Sequence, residues 1–210
     1  FYMWASWWGC RGQLPGWQSF YKKHKDSVNV VVIAQDAQGA DVAKPWVEKA
    51  GATYRALLDQ HNFIGKAYNL KFVPVGILLD EDGKLVRAVG SVNIDNDEFQ
   101  SELTEWVTSG AIPKAWIDAD KQSAPKALTA EEKEADARFQ LAIVLLENDK
   151  KEAAIAELKK AFELDPENWL IRKQLWAIET PEAFYDGNVD YGWQKAQMAR
   201  EKVALEASKK

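Results

Sequence analysis

The chain has one cysteine, Cys10, in 210 residues. An internal disulfide and a cysteine-based zinc site are therefore excluded. Two histidines, His24 and His61, lack the spaced carboxylates or cysteines of a metal site. His24 lies in a lysine-rich helix end and reads as solvated. No run of about 18 apolar residues occurs, so no membrane span is expected. There is no basic block, and the formal net charge is -5. Both facts argue against nucleic acid or an anionic membrane surface as a main partner. No glycine-rich phosphate loop appears, because Gly12 to Gly16 has the wrong spacing. No nucleophile-elbow motif supports a serine triad. Phe1 stands in what reads as mid-strand, without a methionine or signal peptide. The expectation is a fragment, with any leader and a first strand or hairpin upstream.

What the chain has in excess is tryptophan, ten in all, most of them expected as core or interface anchors. Phe1 to Ala5 reads as a buried strand. A helix is expected from about Cys10 to Lys25, kinked at Pro15, with Trp17, Phe20 and Tyr21 on its core face. Val28 to Ala34 is a β-branched run suited to a strand covered on both faces. Lys44 to Ala50 reads as a helix opened by Pro45, Thr53 to Leu58 as a short strand and His61 to Asn69 as a short helix. Val75–Leu79 and Leu85–Val89 flank an Asp-Gly turn and read as a hairpin. Asp95 to Ser109 is an amphipathic helix closed by Gly110. Residues 113–128, with Pro113 and Pro125, read as a linker.

Beyond the linker the period becomes helical. Leu141, Ala142, Leu145, Ala154, Leu158, Ala161 and Pro166 match the spacing of a 34-residue tetratricopeptide repeat over about residues 135–168. Asn168 to Ile178 resembles the first helix of a second repeat, and Gly192 to Ala207 reads as a terminal helix. One repeat is too few to stand alone. The helices must dock on the N-terminal part or pair with another chain, and Trp169, Trp176, Phe184, Tyr185, Tyr191 and Trp193 are candidates for that contact.

The stretch Trp4-Ala5-Ser6-Trp7-Trp8-Gly9-Cys10-Arg11-Gly12-Gln13-Leu14-Pro15 resembles the active-site motif of thioredoxin-fold proteins of the TlpA/ResA-like redoxin branch. That motif reads Trp-Ala-Ser-Trp-Cys-Gly-Pro-Cys-Arg, then Glu-Leu-Pro after one variable residue. Trp8 stands where the family has its nucleophilic cysteine, the proline is missing, and Gln13 replaces Glu. Residues 45–59 resemble the inserted helix and strand of that branch, and Pro74 matches the family's cis-proline. The resemblance implies an α/β thioredoxin-like fold, a central mixed sheet flanked by helices, over residues 1–112. An all-α tetratricopeptide-like domain would occupy residues 129–210. It also implies a protein thiol or disulfide as redox partner, no cofactor, and a periplasmic or exported setting in bacteria. By the same resemblance Cys10 and position 8 are the catalytic positions, and Trp7, Gly9, Arg11, Val73 and Pro74 surround a bound partner. Tyr2 stands where many thioredoxins carry a buried Asp.

Dithiol exchange needs one thiolate to attack and a second thiol to release the mixed disulfide. One cysteine can do half of that. Three readings follow. Cys10 acts as a lone reactive thiol, favoured by the unpaired N–H groups of a helix start and by Arg11 if it turns inward. Alternatively Cys10 is a small buried apolar residue and the fold is an inactive protein-binding module. In the third, residue 8 is a selenocysteine read as Trp, with Cys10 resolving. A peroxidase ranks last, since the usual Thr/Cys arrangement is missing.

Overall fold

In the computed structural model, which describes residues 1–120 and 127–208, the apolar runs of the N-terminal half form one mixed sheet. Strands β1 (Tyr2–Trp4), β2 (Val31–Ala34), β3 (Arg55–Leu58), β4 (Val75–Gly76) and β5 (Gly90–Ser91) lie in the order β3-β2-β1-β4-β5. β2 runs parallel to both β1 and β3, with Tyr2 opposite Val32 and Trp4 opposite Ala34. β4 is antiparallel to β1 and to β5. Central strands covered on both faces need apolar side chains throughout. Tyr2, Met3 and Trp4 meet that demand, each at most 1% exposed. With its flanking helices this is a thioredoxin-like α/β fold, and a helical C-terminal part follows it.

Several elements differ from expectation for identifiable reasons. Cys10 lies in a 3₁₀ turn, Gly9–Gln13, and the α-helix proper, α1 (Leu14–His24), begins only at Leu14. Pro15 therefore falls in the first turn, where its missing N–H breaks no hydrogen bond, and it starts the helix instead of kinking it. α2 (Ala40–Lys49) begins five residues before Pro45, which sits inside it without an N–H for the carbonyl four residues back. Gly39 precedes α2 at φ 91°, a conformation that favours glycine. His24 is buried against Phe20, with ring centroids 4.5 Å apart, so it is not solvated. The expected strands on either side of the Asp-Gly turn pair through one bridge, Leu79 to Leu85, and the second strand forms later, at Gly90–Ser91.

α3 (Phe63–Ala67) follows β3, and α4 (Asp97–Ser109) follows β5; α4 is capped by Asn96 and closed by Gly110 at φ 74°. The stretch read as a linker opens with a helix, α5 (Lys114–Asp120), because Trp116 buries its ring against Trp106 and donates to Glu102 at 2.8 Å. Pro125 and the rest of 121–126 lie outside the described residues.

α6 (Ala130–Glu147) and α7 (Lys151–Leu164) form a hairpin closed by fully buried Ala142, Ala154 and Ala161. Small side chains there let the two backbones approach. α8 (Trp169–Glu179), α9 (Glu182–Tyr185) and α10 (Tyr191–Ser208) complete the chain. The helices dock on the N-terminal half. Lys66 pairs with Asp136, Lys71 with Glu132 and with Asp165, and Gln140 donates to the His61 carbonyl at 2.6 Å. Glu147 meets His61 Nε2 at 3.1 Å.

Candidate functional site

The motif begins where β1 ends. Parallel β1–β2 pairing carries Ser6 to the C-terminal edge of the sheet, beside Asp36 at the end of β2. The Ser6 N–H donates to Asp36 Oδ2 at 3.1 Å, and the Ser6 hydroxyl donates to Oδ1. Asp36 is fully buried. Burial pushes its carboxyl up to about 7, against the opposing pull of the Ser6 donors and the Arg11 charge.

Cys10 faces inward. It is 3% exposed, its Sγ lies 3.7 Å from the Ala5 carbonyl oxygen, and the Ala5 N–H approaches the sulfur at 3.5 Å. Burial pushes the thiol up to about 12, and the Asp36 charge adds to the rise. The helix start that would favour a thiolate is displaced to Leu14, four residues further on. Tyr2 donates its hydroxyl to the Cys10 carbonyl at 3.0 Å and so holds the 3₁₀ turn, and its side chain also reaches the thiol, a contact too weak to offset the burial.

Arg11 turns inward, but not onto the sulfur. Its guanidinium stacks 3.7 Å from the Trp46 ring centroid and donates to three carbonyls: Ser6 at 2.8 Å, Phe184 at 2.8 Å and Gly187 at 2.6 Å. Two of the three belong to the loop around α9. Trp8 is partly buried beneath the C-terminal helices. Tyr191 meets it edge-on at 5.6 Å, and the Lys173 ammonium lies 4.1 Å from its ring centroid. The Tyr191 hydroxyl lies over Gly9, close enough that a Cβ there would push the tyrosine tip aside. Trp7 is buried at 2% exposure. The Val73–Pro74 peptide is cis; Val73 is buried, Pro74 is half-buried, and the preceding Lys71 carbonyl accepts the Leu170 N–H at 3.2 Å.

The structure thus brings Trp8, Gly9, Cys10 and Arg11 together in one turn and places α8 between that turn and the Lys71–Pro74 loop. Two further participants were not singled out by the sequence, Asp36 and Lys173, and the aromatics of 184–191, expected as docking contacts, fall at the motif itself. Asp36 had one signal, a carboxylate directly after a buried strand. Lys173 had another, a cation beside Arg172 inside the otherwise largely apolar run Trp169 to Ile178. It is 3% exposed, ringed by Trp8, Trp169 and Trp176, and donates to Gln194. Burial lowers its ammonium to about 7, Arg172 lowers it further, and Glu201 opposes. Among the described residues no cluster of three or more His, Cys, Asp or Glu is placed to hold a metal, and no helix is long and apolar enough to cross a membrane.

Fold and motif define a thioredoxin-fold redoxin. The model of the AhpC/TSA family matches residues 1–123, more than half of the chain, and the chain belongs to that family. Within it the chain is similar to the TlpA/ResA branch of thiol-disulfide oxidoreductases. Sporulation thiol-disulfide oxidoreductase A of Bacillus subtilis (strain 168) is 28% identical over 110 residues, covering 50% of this chain and 63% of that protein. Thiol-disulfide oxidoreductase ResA of Bacillus thuringiensis subsp. konkukian is 27% identical over 106 residues, 50% of this chain and 58% of that protein. ResA of Bacillus anthracis is 31% identical over 88 residues, 41% of this chain and 50% of that protein. The matches span between half and two thirds of these relatives.

Proposed function

We propose that this chain uses the redoxin fold as a protein-binding scaffold and does not perform dithiol exchange. One observation carries the proposal: Cys10, the single thiol, is buried against the Ala5 backbone with its ionisation pushed up to about 12. A thiol held that far above neutral pH supplies almost no thiolate, and the thiolate is the attacking species. Trp8 at the nucleophile position has no exchange chemistry of its own and serves as a packing surface. On this reading residues 1–112 form the scaffold and 113–128 connect it to a helical domain over 129–210. That domain carries one tetratricopeptide-like repeat, about 135–168, as the partner-binding element. The partner is a protein, and the Val73–Pro74 loop borders the same face.

Reduction of a model disulfide such as insulin by dithiothreitol tests the proposal. No acceleration above dithiothreitol alone is expected, and the Cys10→Ser variant should behave identically. A Cys10-dependent rate would overturn it.

A second reading rests on Lys173. A cation that close to residue 8 would hold a selenolate there, if residue 8 is a selenocysteine in the native protein. The selenolate would attack a partner disulfide and expel one thiolate. Cys10 would then displace the second thiol, leaving a selenium–sulfur bond in this chain and a reduced partner. The intact mass of the protein from its native source decides between Trp and selenocysteine at position 8.

A further inference from the structure

The scaffold reading leaves open what covers the face around the motif, and the contacts name the occupant. We propose that residues 183–193 of this chain form a self-docked strap across that face, with Arg11 as its anchor, so that a partner reaches the motif only when the strap lifts. This inference rests on the scaffold reading above.

Several independent contacts hold the strap, a Tyr185 side-chain hydrogen bond with Ser6 among them. Arg11 donates to the Phe184 and Gly187 carbonyls, at 2.8 and 2.6 Å. Gln38, in the loop after β2, donates to the Tyr185 hydroxyl at 2.9 Å. Tyr191 closes over Trp8 and Gly9. Gly187 sits at φ 84°, a turn that presents its carbonyl to Arg11 and that a residue with a Cβ would strain. A guanidinium satisfied by two backbone carbonyls is a way of gripping any polypeptide loop. The strap therefore stands where a partner's loop would lie.

The middle of the strap is built to open before the rest. Asp186, Gly187 and Asn188 are exposed, and among residues 191–203 of α10 only Gln194 is buried. Ala183, Phe184 and Val189 are buried and fasten the strap on either side of that exposed turn, whereas the α6–α7 hairpin is closed throughout by fully buried Ala142, Ile143, Ala154, Leu158 and Ala161. Exposed segments with few buried apolar contacts open locally at a small fraction of the global free energy.

Amide hydrogen exchange on the full chain tests this, with wild type, Tyr191→Ala and Arg11→Met compared. Tyr191 is 55% exposed, so its truncation leaves the core intact. In wild type, amides of 183–191 should exchange faster than those of α6, α7 and the sheet. Tyr191→Ala should accelerate exchange at least ten-fold in both 183–191 and 6–11, with α6, α7 and the sheet unchanged. Arg11→Met should give the same pattern more strongly. Unchanged exchange in both variants, or a rise shared equally by strap, hairpin and sheet, would overturn the proposal. The scaffold reading fails separately, through Cys10-dependent disulfide reduction, which this experiment does not measure.

Discussion

At the scale of single residues, burial decides the chemistry. Cys10, Asp36 and Lys173 each carry a group that water would ionise, and each sits where water is excluded. For Asp36 the folded pKa of about 7 lies above the ordinary 3.8. The folded state therefore binds the proton more tightly than the unfolded chain does. Its stabilising effect is complete below about pH 4 and is lost as pH rises to about 7. Across that window the loss is at most about 4 kcal/mol. Thermal melts from pH 4 to 8 should show stability falling with pH in wild type. The slope should be much flatter in Asp36→Asn, and equal slopes would contradict this role for Asp36. Lys173 acts in the opposite sense. Its folded pKa, about 7, lies below the usual 10.5, so its burial costs stability as pH falls from about 10.5 to 7. Lys173→Met should remove that slope, which melts from pH 7 to 10 would read. The sequence leaves burial of Cys10 as one of its open readings and gives only a weak signal at Asp36 and Lys173. Residue type gives what can ionise, whereas the degree of desolvation depends on how the whole chain packs around it.

At the scale of elements, local signals are clear for the helix that Gly110 closes and for the helical period of 135–168, and weaker where proline or strand pairing intervenes. Thr129 accepts from the Glu132 N–H at 3.2 Å, and Glu132 accepts from the Thr129 N–H at 2.8 Å, a reciprocal capping box that starts α6. Thr129→Ala should cost about 1 kcal/mol by chemical denaturation; no change would show that the cap is redundant with the Lys71 contact to Glu132. Helical periodicity over residues 135–168 located α6 and α7, whose facing alanines leave no room for larger groups. Ala154→Leu should destabilise by about 1–3 kcal/mol through overpacking; a neutral result would mean that the hairpin can splay. Pro15 and Pro45 misled in opposite directions. The same residue opens a helix in its first turn and is tolerated further in when the surrounding contacts outweigh one missing hydrogen bond. The strand after the Asp-Gly turn was misplaced because pairing with β4 sets its position, and its own apolar run does not.

At the scale of the whole molecule, two halves that each carry a recognisable pattern are joined at the motif. The thioredoxin-like fold was legible because parallel central strands must be apolar on both faces and because Trp4 to Pro15 keeps its order. The docking was legible only as a requirement: one helical repeat cannot stand alone, and the aromatics near the C-terminus offered contacts. Tyr191 and Tyr185 do make them, against Trp8 and Gln38, while Phe184 offers Arg11 its backbone carbonyl. Whether Cys10 would face solvent or the core could not be read, because that depends on a 3₁₀ turn in place of a helix start. The proposed inertness of Cys10 follows from its burial. The most direct test is alkylation of the folded protein with iodoacetamide at about pH 5 to 9, where a stabilised thiolate reacts and a buried thiol does not. Mass spectrometry of the tryptic peptide Phe1 to Arg11 reads residue 8 and Cys10 together. The account predicts no labelling of Cys10 in the native state at any of these pH values, full labelling after unfolding, and Trp at position 8. Rapid labelling of the native protein near pH 6 would contradict it.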